Sequence, residues 1–342
     1  MINTVAPILS SIPVPPTNVL KLGPLSFHIY GLCIAAGVLA GVSLARKRWA
    51  DNGGDPDDIT SVALIAVPAG LLGARLYHVI TDFPDLYSDG RWWPNALFIW
   101  NGGLGIPGGV VGGVIGALLA ARYKKMPWRQ MGDAAAPALP LAQAIGRFGN
   151  YFNQELFGGP TTLPWGLKLD AVHRPVEFPA ETLFHPTFLY EALWNFALVT
   201  LIVVAGKKVT LKPGRWFAVY IAGYGLGRLW VESLRIDAAN TILGLRVNTW
   251  TSLFAIIGGL IWLFWRGSPV TDDQDSNRIS IAGANTDTLT EVDTVSGESA
   301  RTEAEVGVAD SVGEPGPDVD GPIAEGAIGD NGTAEAGPGV DP

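Results

Sequence analysis

The sequence predicts an all-α integral membrane protein with seven transmembrane helices, and three observations support that fold class. Of its 342 residues, 48% are hydrophobic and only 16% are charged, a composition too apolar for an ordinary soluble domain. Seven apolar runs approach or reach the length that a helix needs to cross a hydrocarbon core, roughly 20 residues. Basic residues follow every second run, as they do in the cytoplasmic loops of membrane proteins.

The seven predicted spans differ in strength, and the fourth, which is rich in alanine, is the weakest. They cover residues 27–45, 59–80, 104–121, 131–148, 188–205, 216–233 and 249–265. No basic segment precedes the first span, so we expect this span itself to serve as the targeting signal. The single cysteine, Cys33, is expected to be a small buried hydrophobe. The four histidines lack metal-ligand spacing, and we expect neither a metal nor another cofactor.

The basic residues predict the orientation of the chain in the membrane. They follow spans one, three, five and seven, and they are Arg46, Lys47, Arg48, Arg122, Lys124, Lys125, Arg129, Lys207, Lys208, Lys212, Arg215 and Arg266. Because alternating spans bring all of these residues to one side, the positive-inside rule assigns that side to the cytoplasm. The other side holds Asp82, Asp85, Asp89, Asp237 and the loop 157–186. We therefore expect the N-terminus outside and the C-terminus in the cytoplasm.

Residues 267–342 differ in composition from the rest of the chain. They contain 17 acidic and 2 basic residues and no aromatic residue, so we expect a disordered, acidic cytoplasmic tail without a catalytic role. Residues 1–266, the expected catalytic membrane domain, keep 15 acidic and 21 basic residues. The net charge of −9 is therefore a property of the tail and indicates nothing about the partners of the body. No nucleic-acid partner is expected.

Polar side chains gather at the outward ends of four predicted spans. They are Arg75 and His78; Arg147, Asn150, Asn153 and Glu155; His185, Tyr190 and Glu191; and Tyr224, Arg228, Glu232 and Arg235. The last four have the spacing of one helical face. An ionisable group at membrane depth costs roughly 2.5–3.5 kcal/mol even on the lenient insertion scale, so such groups indicate function. Their convergence predicts one polar cavity that opens to the outer face.

The arginines of this cavity permit two interpretations. Arginine is the usual residue for bidentate binding of phosphate, and a phospholipid head group is the anion present at that depth. Alternatively, pairs such as Arg228 and Glu232 only neutralise each other and hold helices together. Glycines beside Arg147 would let a ligand approach the backbone. The glycine run Asn101–Gly113 either packs two helices closely or forms a wall along which a lipid or peptide lies.

The segment Gly146–Gly158, which reads G-R-F-G-N-Y-F-N-Q-E-L-F-G, resembles the signature of the bacterial prolipoprotein diacylglyceryl transferases. Further matching segments follow the family's order across residues 27–266: Ile29–Leu32, Gly73–Tyr77, Asn101–Gly109, His185–Glu191 and Tyr224–Arg235. The signature is highly specific, whereas the glycine run alone would be weak. The tail lies outside the resemblance.

The resemblance implies a multi-pass enzyme of the bacterial cytoplasmic membrane whose active site faces the outer leaflet. Such an enzyme transfers the diacylglyceryl group of phosphatidylglycerol to the lipobox cysteine of a prolipoprotein and releases glycerol phosphate. Residues that the resemblance assigns to catalysis are Arg147, Asn150, Glu155, Arg228 and Glu232. We expect phosphatidylglycerol to contact Arg147, Arg228, Asn153, Tyr30, Tyr224, Arg75, Arg235 and His185. Tyr30 also fits an interfacial aromatic anchor.

The chain departs from the family pattern at Pro107, where many members have a histidine that is a candidate base. The base is then either another side chain, with Glu155, Glu232 and His185 as candidates, or no dedicated base exists. We favour the second hypothesis, in which the arginines stabilise the thiolate. Two other functions stay open: a lipid transporter, which polar groups in one leaflet and the lack of an internal repeat disfavour, and an inactive relative that binds lipoprotein precursors.

Overall fold

The computed structural model describes residues 11–83 and 102–265, which form eight helices and three pairs of short antiparallel strands. The helices are α1 Ile29–Asp51, α2 Pro56–Thr81, α3 Ile106–Tyr123, α4 Trp128–Ala135, α5 Ala138–Asn153, α6 Thr187–Gly206, α7 Arg215–Glu232 and α8 Val247–Phe264. The strands are β1 Val19–Leu22, β2 Leu25–His28, β3 Pro160–Thr161, β4 Leu183–Phe184, β5 Thr241–Ile242 and β6 Leu245–Arg246. The predicted tail 267–342, together with Asp85, Asp89, Asn101 and Arg266, lies outside the described residues.

Five of the described helices are long and apolar enough to cross a membrane, namely α1, α2, α3, α6 and α8. A multi-pass helical protein is therefore confirmed, whereas the count of seven spans stays a prediction. Two predicted spans correspond to helices that do not meet these criteria. Helix α5 has only 16 residues, and α7 contains Arg215, Arg228 and Glu232.

The prediction of one continuous helix over residues 131–148 is wrong. Helix α4 ends at Ala135, and α5 begins at Ala138. Pro137 lies between them and has no backbone N–H with which to continue the helical hydrogen bonds. The apolar run is therefore divided between a two-turn helix and the helix that ends in the signature segment.

Helix α3 packs against α2 through the glycine run. A Cβ on Gly70 would lie 3.3 Å from the carbonyl oxygen of Gly109, and one on Gly112 would lie 3.1 Å from the Cα of Gly73. A Cβ on Gly108 would overlap the carbonyl oxygen of Gly73. The two backbones approach each other directly because side chains are missing from the contact. Of the two interpretations of this run, close helix packing is confirmed.

Small residues dominate the buried positions of the bundle, and many large apolar side chains face outward. Ala120, Ala144 and Ala218 are among the most buried residues. By contrast, Leu72 on α2 and Phe254 on α8 are 72% and 67% exposed. Such a distribution suits helices that pack through small residues and present large apolar side chains to lipid.

Candidate active site

Helix α5 ends so that the signature segment folds back on itself. Gln154 and Leu156 adopt the left-handed conformation, with φ of 52° and 59°. The backbone N–H of Glu155 donates to the carbonyl oxygen of Asn150 at 3.1 Å. The Glu155 carboxylate therefore lies at the end of α5, where it accepts from the side-chain amides of Asn150 at 2.8 Å and Asn153 at 3.5 Å.

Arg147 connects this turn to helix α6. Its Nη1 donates to Oδ1 of Asn150 at 3.2 Å, and its Nη2 lies 2.5 Å from Oε2 of Glu191. Because Asn150 accepts from Arg147 and donates to Glu155, the amide orients both charged groups. Asn150 is only 5% exposed, so its side chain has little freedom to turn away.

Glu191 lies at the centre of the site, near the start of α6. It is 5% exposed, and its two carboxylate oxygens form ion pairs with different arginines. Oε2 faces Arg147, and Oε1 accepts from Nη1 of Arg228 on α7 at 2.8 Å. One carboxylate thus joins the signature segment to the polar motif at the end of α7.

Glu232, one turn beyond Arg228 on α7, extends the network to helix α8. Its Oε2 lies 2.7 Å from Nη2 of Arg228, and its Oε1 accepts from Nε of Arg246 at 2.6 Å and from Nδ2 of Asn248 at 3.2 Å. Glu232 is 2% exposed. A carboxylate this deeply buried is costly unless it is paired, and here two guanidinium groups pair with it.

Arg235 does not lie on the polar face of α7, because the helix ends at Glu232. Its guanidinium instead forms two bonds to the carboxylate of Asp237, at 2.6 and 2.7 Å. Burial opposes the charge of Asp237, but hydrogen bonds from Arg235 and the charges of Arg235 and Arg246 outweigh it, so the pKa of Asp237 is lowered. Burial also opposes the charge of Arg235, yet its bonds to Asp237 raise its pKa. Both groups are firmly ionised.

Four arginines and four carboxylates of the described residues therefore form one network at one end of the bundle, to which Glu155 is joined through the amide of Asn150. They are Arg147, Arg228, Arg235 and Arg246 with Glu155, Glu191, Glu232 and Asp237. Their formal charges cancel when all are ionised. The interpretation in which arginines and carboxylates neutralise each other thus describes the site as it stands, and an added anion would compete with a carboxylate already in place.

Tyr30, the second residue of α1, lies against the signature helix. A Cβ on Gly149 would be 2.6 Å from the Tyr30 ring and 3.2 Å from its Cα, and one on Gly146 would be 3.2 Å from Ile34. The glycines beside Arg147 therefore admit helix α1, which corrects the expectation that they admit a ligand to the backbone. Tyr30 is close enough to Glu155 and Arg147 to interact with both charges.

His185 is positioned mainly by its backbone. The Gly158 N–H donates to the His185 carbonyl at 2.9 Å, and the His185 N–H donates to the Gly159 carbonyl at 3.0 Å. On the other side, the Gly159 N–H donates to the carbonyl of Leu234 at 2.9 Å. The backbone at Gly158 and Gly159 therefore lies between the motif that begins at His185 and the motif that ends at Arg235. The imidazole Nδ1 of His185 lies 3.2 Å from the hydroxyl of Tyr190.

The remaining predicted residues have different surroundings. Nη1 of Arg75 donates to the carbonyls of Gly102 and Gly103, at 2.7 and 2.9 Å, and so holds the segment that leads into α3. The ring of Tyr224, one turn before Arg228, lies 6.0 Å from that of Tyr220. Pro107 is in the first turn of α3, where its missing N–H has no cost.

A family model described as prolipoprotein diacylglyceryl transferase matches residues 17–265 of this chain. The chain belongs to that family. The family identified from the segment Gly146–Gly158 is thereby confirmed, and with it the class of enzyme, a transferase.

Named relatives cover most of the chain. Phosphatidylglycerol–prolipoprotein diacylglyceryl transferase 2 of Streptomyces coelicolor is 48% identical over 256 residues, which are 75% of this chain and 80% of that protein. The phosphatidylglycerol–prolipoprotein diacylglyceryl transferase of Bifidobacterium adolescentis is 44% identical over 265 residues, 74% of this chain and 79% of that protein. The enzyme of the same name from Corynebacterium glutamicum is 44% identical over 266 residues, 75% and 84% respectively.

Sequence reasoning missed Arg246 and Asn248 and left Glu191 without a role. The signal for Arg246 was present, because it opens the segment that leads into the last apolar run, at the same end as the other polar motifs. Glu191 was counted among the charges of the cavity, but nothing in the sequence indicates that it bridges two arginines. In this member of the family, the charged network extends from the signature to the start of α8.

Proposed function

We propose that this chain transfers the diacylglyceryl group of phosphatidylglycerol to the thiol of a prolipoprotein lipobox cysteine. One observation carries the assignment to particular residues: the guanidinium groups of Arg147 and Arg228 converge on the same two-oxygen anion, the Glu191 carboxylate. A pair of guanidinium groups aimed at one such anion is also suited to a phosphate. The names of the relatives supply the two substrates.

At the glycerol carbon the reaction forms one bond and breaks one bond, and the thiol loses its proton. The cysteine sulfur attacks the glycerol carbon that carries the phosphate, and the bond between that carbon and the phosphate oxygen breaks. The electron pair goes to the oxygen, so the leaving glycerol phosphate carries one more negative charge than the phosphodiester did. We assign Arg147 and Arg228 to that developing charge, where fixed cations in a site with little water are most effective.

The thiol proton must also leave, since a free thiol is mostly protonated at neutral pH. Of the three candidate bases, Glu232 is held by two arginines and an amide, and His185 faces the Tyr190 hydroxyl. Glu155 differs from both, because among the described residues it accepts hydrogen bonds only from the amides of Asn150 and Asn153. If a side chain accepts the proton, we assign that role to Glu155; the arginines favour the thiolate in either case.

For the other predicted contacts we propose supporting roles. Tyr30, which lies on α1 against the signature helix, and Tyr224, one turn from Arg228, are placed to contact the lipid head group. Arg75 and Arg235 bind protein carbonyls and a carboxylate, so we propose that they shape the site instead of binding phosphate. His185 is proposed to hold the end of the signature through its backbone.

We propose that the chain crosses the bacterial cytoplasmic membrane seven times, with the network facing the outer leaflet and the acidic tail in the cytoplasm. The residues of the network lie at or just after the ends of α5 and α7 and near the starts of α6 and α8, whereas the lysine and arginine clusters of residues 46–48 and 122–129 lie near the ends of α1 and α3. Polar groups at one end suit an enzyme that meets its protein substrate on one side. A transporter would need polar groups across both leaflets.

A transfer assay with purified protein in detergent tests the function. Phosphatidylglycerol and a lipobox peptide are the substrates, and the peptide mass is the readout. We expect the wild type to add the mass of a diacylglyceryl group, and Arg147→Ala to lose this activity. Arg122→Ala is the matched control and should remain active, because it removes an exposed arginine in the last turn of α3, which carries no residue of the network. A folded wild type that adds no mass would contradict the proposal and favour an inactive lipoprotein-binding relative.

A further inference from the structure

Glu191 occupies the place between the two arginines to which we assign the phosphate. Its Oε2 lies 2.5 Å from Nη2 of Arg147, and its Oε1 lies 2.8 Å from Nη1 of Arg228. The two carboxylate oxygens of Glu191 share one carbon and each faces a separate guanidinium. The two non-bridging oxygens of a phosphodiester share one phosphorus and could face the same two guanidinium groups. The carboxylate and the phosphate therefore require the same N–H groups.

The other partners of the two arginines would remain when an anion enters. Nη1 of Arg147 would still donate to the neutral amide of Asn150, and Nη2 of Arg228 would still pair with the carboxylate of Glu232. Glu232 is itself held by Arg246. Among the carboxylates of the described residues, Glu191 alone forms ion pairs with both arginines, so its displacement would free a guanidinium nitrogen on each at once.

We propose that Glu191 is a built-in competitor for the phosphate of the substrate and of the product. It binds Arg147 and Arg228 when the site is empty, yields them to the phosphodiester of phosphatidylglycerol, and returns to them as glycerol phosphate leaves. This inference rests on the proposed function, since it uses the same two arginines as the phosphate site.

Such a competitor would help to release the product, because the reaction increases the negative charge on the phosphate. The phosphodiester carries one negative charge, whereas the glycerol phosphate product carries up to two, so two fixed arginines would hold the product more tightly than the substrate. An enzyme with such a site would be slowed by product release, which limits the turnover of many enzymes. A carboxylate tethered to α6 competes with both ligands and lowers the affinity for each, which permits the product to dissociate.

A second interpretation makes Glu191 a permanent structural counter-ion that never leaves the arginines. The two interpretations differ in the sign of one measurable effect. A competitor weakens anion binding, so neutralising it should strengthen that binding. A permanent counter-ion holds the arginines in place, so neutralising it should weaken anion binding or leave it unchanged.

Isothermal titration of glycerol 1-phosphate into the purified full chain in detergent is the test. We expect Glu191→Gln to bind this anion about tenfold more tightly than the wild type, within the usual range for two coupled sites. Glu181→Gln is the matched control, because it removes an exposed carboxylate from the loop between α5 and α6, and its affinity should equal that of the wild type. Equal or weaker binding in a folded Glu191→Gln variant would overturn the proposal.

A second variant covers the case in which Glu191→Gln does not fold. Glu191→Asp keeps the charge but is one methylene shorter, so it reaches both arginines less well and should bind glycerol 1-phosphate with intermediate affinity. If neither variant folds, Glu191 is a structural counter-ion and the proposal fails. The transfer assay distinguishes failure of the proposed function from failure of this inference. A folded wild type without transfer contradicts the function. Transfer by the wild type without tighter product binding by Glu191→Gln contradicts this inference alone.

Discussion

Arg246 donates from Nε to the Glu232 carboxylate at 2.6 Å, and this bond joins the start of helix α8 to the end of α7. The same guanidinium reaches the loop between them, where Nη1 donates to the carbonyl of Asp237 at 2.9 Å and Nη2 lies 3.1 Å from its carboxylate. Since the other oxygen of Glu232 binds Arg228, the position of a proposed catalytic arginine depends on a residue that does not touch it.

Replacing Arg246 should therefore destabilise the protein and lower activity together. Arg246→Ala leaves the buried Glu232 with one cation, and breaking a buried ion pair costs on the order of 3 kcal/mol. Arg246→Lys keeps the charge and should lose less. Thermal unfolding in detergent and the transfer assay measure the two effects.

The control for this prediction is Arg46→Ala. Arg46 pairs with Asp57 at 3.1 Å, but their side chains are 43% and 76% exposed. An exposed pair contributes about 0–1 kcal/mol, so the unfolding temperature should hardly change. Equal losses in Arg46→Ala and Arg246→Ala would contradict the importance given to the buried contact.

The identity of the proton acceptor can be tested with three substitutions. Glu155→Gln and Glu232→Gln preserve the size of the side chain, and His185→Ala removes the imidazole. We expect His185→Ala and Glu232→Gln to retain measurable turnover, because Glu232 is held by two arginines and Nδ1 of His185 faces the Tyr190 hydroxyl. Glu155→Gln should lower kcat by roughly 10²–10⁴ if Glu155 accepts the proton, the usual range for a general base. Steady-state kinetics with the lipobox peptide give these values.

Two outcomes would change the assignment. Turnover near the wild-type level in Glu155→Gln would mean that the arginines alone generate the thiolate. Complete loss in a folded His185→Ala or Glu232→Gln variant would instead return that residue to the position of candidate base.

Gly158 should not tolerate a side chain. A Cβ there would lie 2.8 Å from the Cβ of His185 and 2.8 Å from the Leu234 carbonyl oxygen, so the three polar motifs would be forced apart. We expect Gly158→Ala to destabilise the protein by about 1–3 kcal/mol, as overpacking does. Gly258→Ala is the control, since no atom of the described residues would lie within 4 Å of a Cβ at that position of α8. Unfolding temperatures that fall equally in both variants would contradict the predicted crowding.

Asp170 should stabilise the loop that follows the signature in a pH-dependent way. Burial opposes its charge, but the hydrogen bonds from His173 and Gln154 together outweigh it and lower the pKa of Asp170 to about 2. A carboxyl group with a lowered pKa contributes stability that is present above its unfolded value, about 3.9, and that is lost as the pH falls toward 2. The unfolding temperatures of wild type and Asp170→Asn should therefore differ at pH 6, and the difference should shrink as the pH falls from about 4 toward 2. A difference at pH 2 as large as that at pH 6 would contradict the role of the charge.

Sequence patterns located the helices well but not where they end. The first predicted span covers residues 27–45, whereas α1 runs from Ile29 to Asp51. Hydropathy detects the apolar part of a helix, and α1 continues through Arg46–Arg48 because charged residues with good helix propensity extend it beyond the apolar part. The opposite error occurred at residues 131–148, where a nearly continuous apolar run hides the break at Pro137.

The sequence by itself determined the family, the helical membrane class and the end of each helix at which polar residues collect. Those properties depend on composition and on spacing along the chain, which a sequence displays directly. Only the tertiary structure decided that Glu191 bridges Arg147 and Arg228, that Arg246 holds Glu232, and that Arg235 pairs with Asp237. Ion pairs between helices depend on the rotation and depth of each helix, and these are set by contacts between residues far apart in the chain.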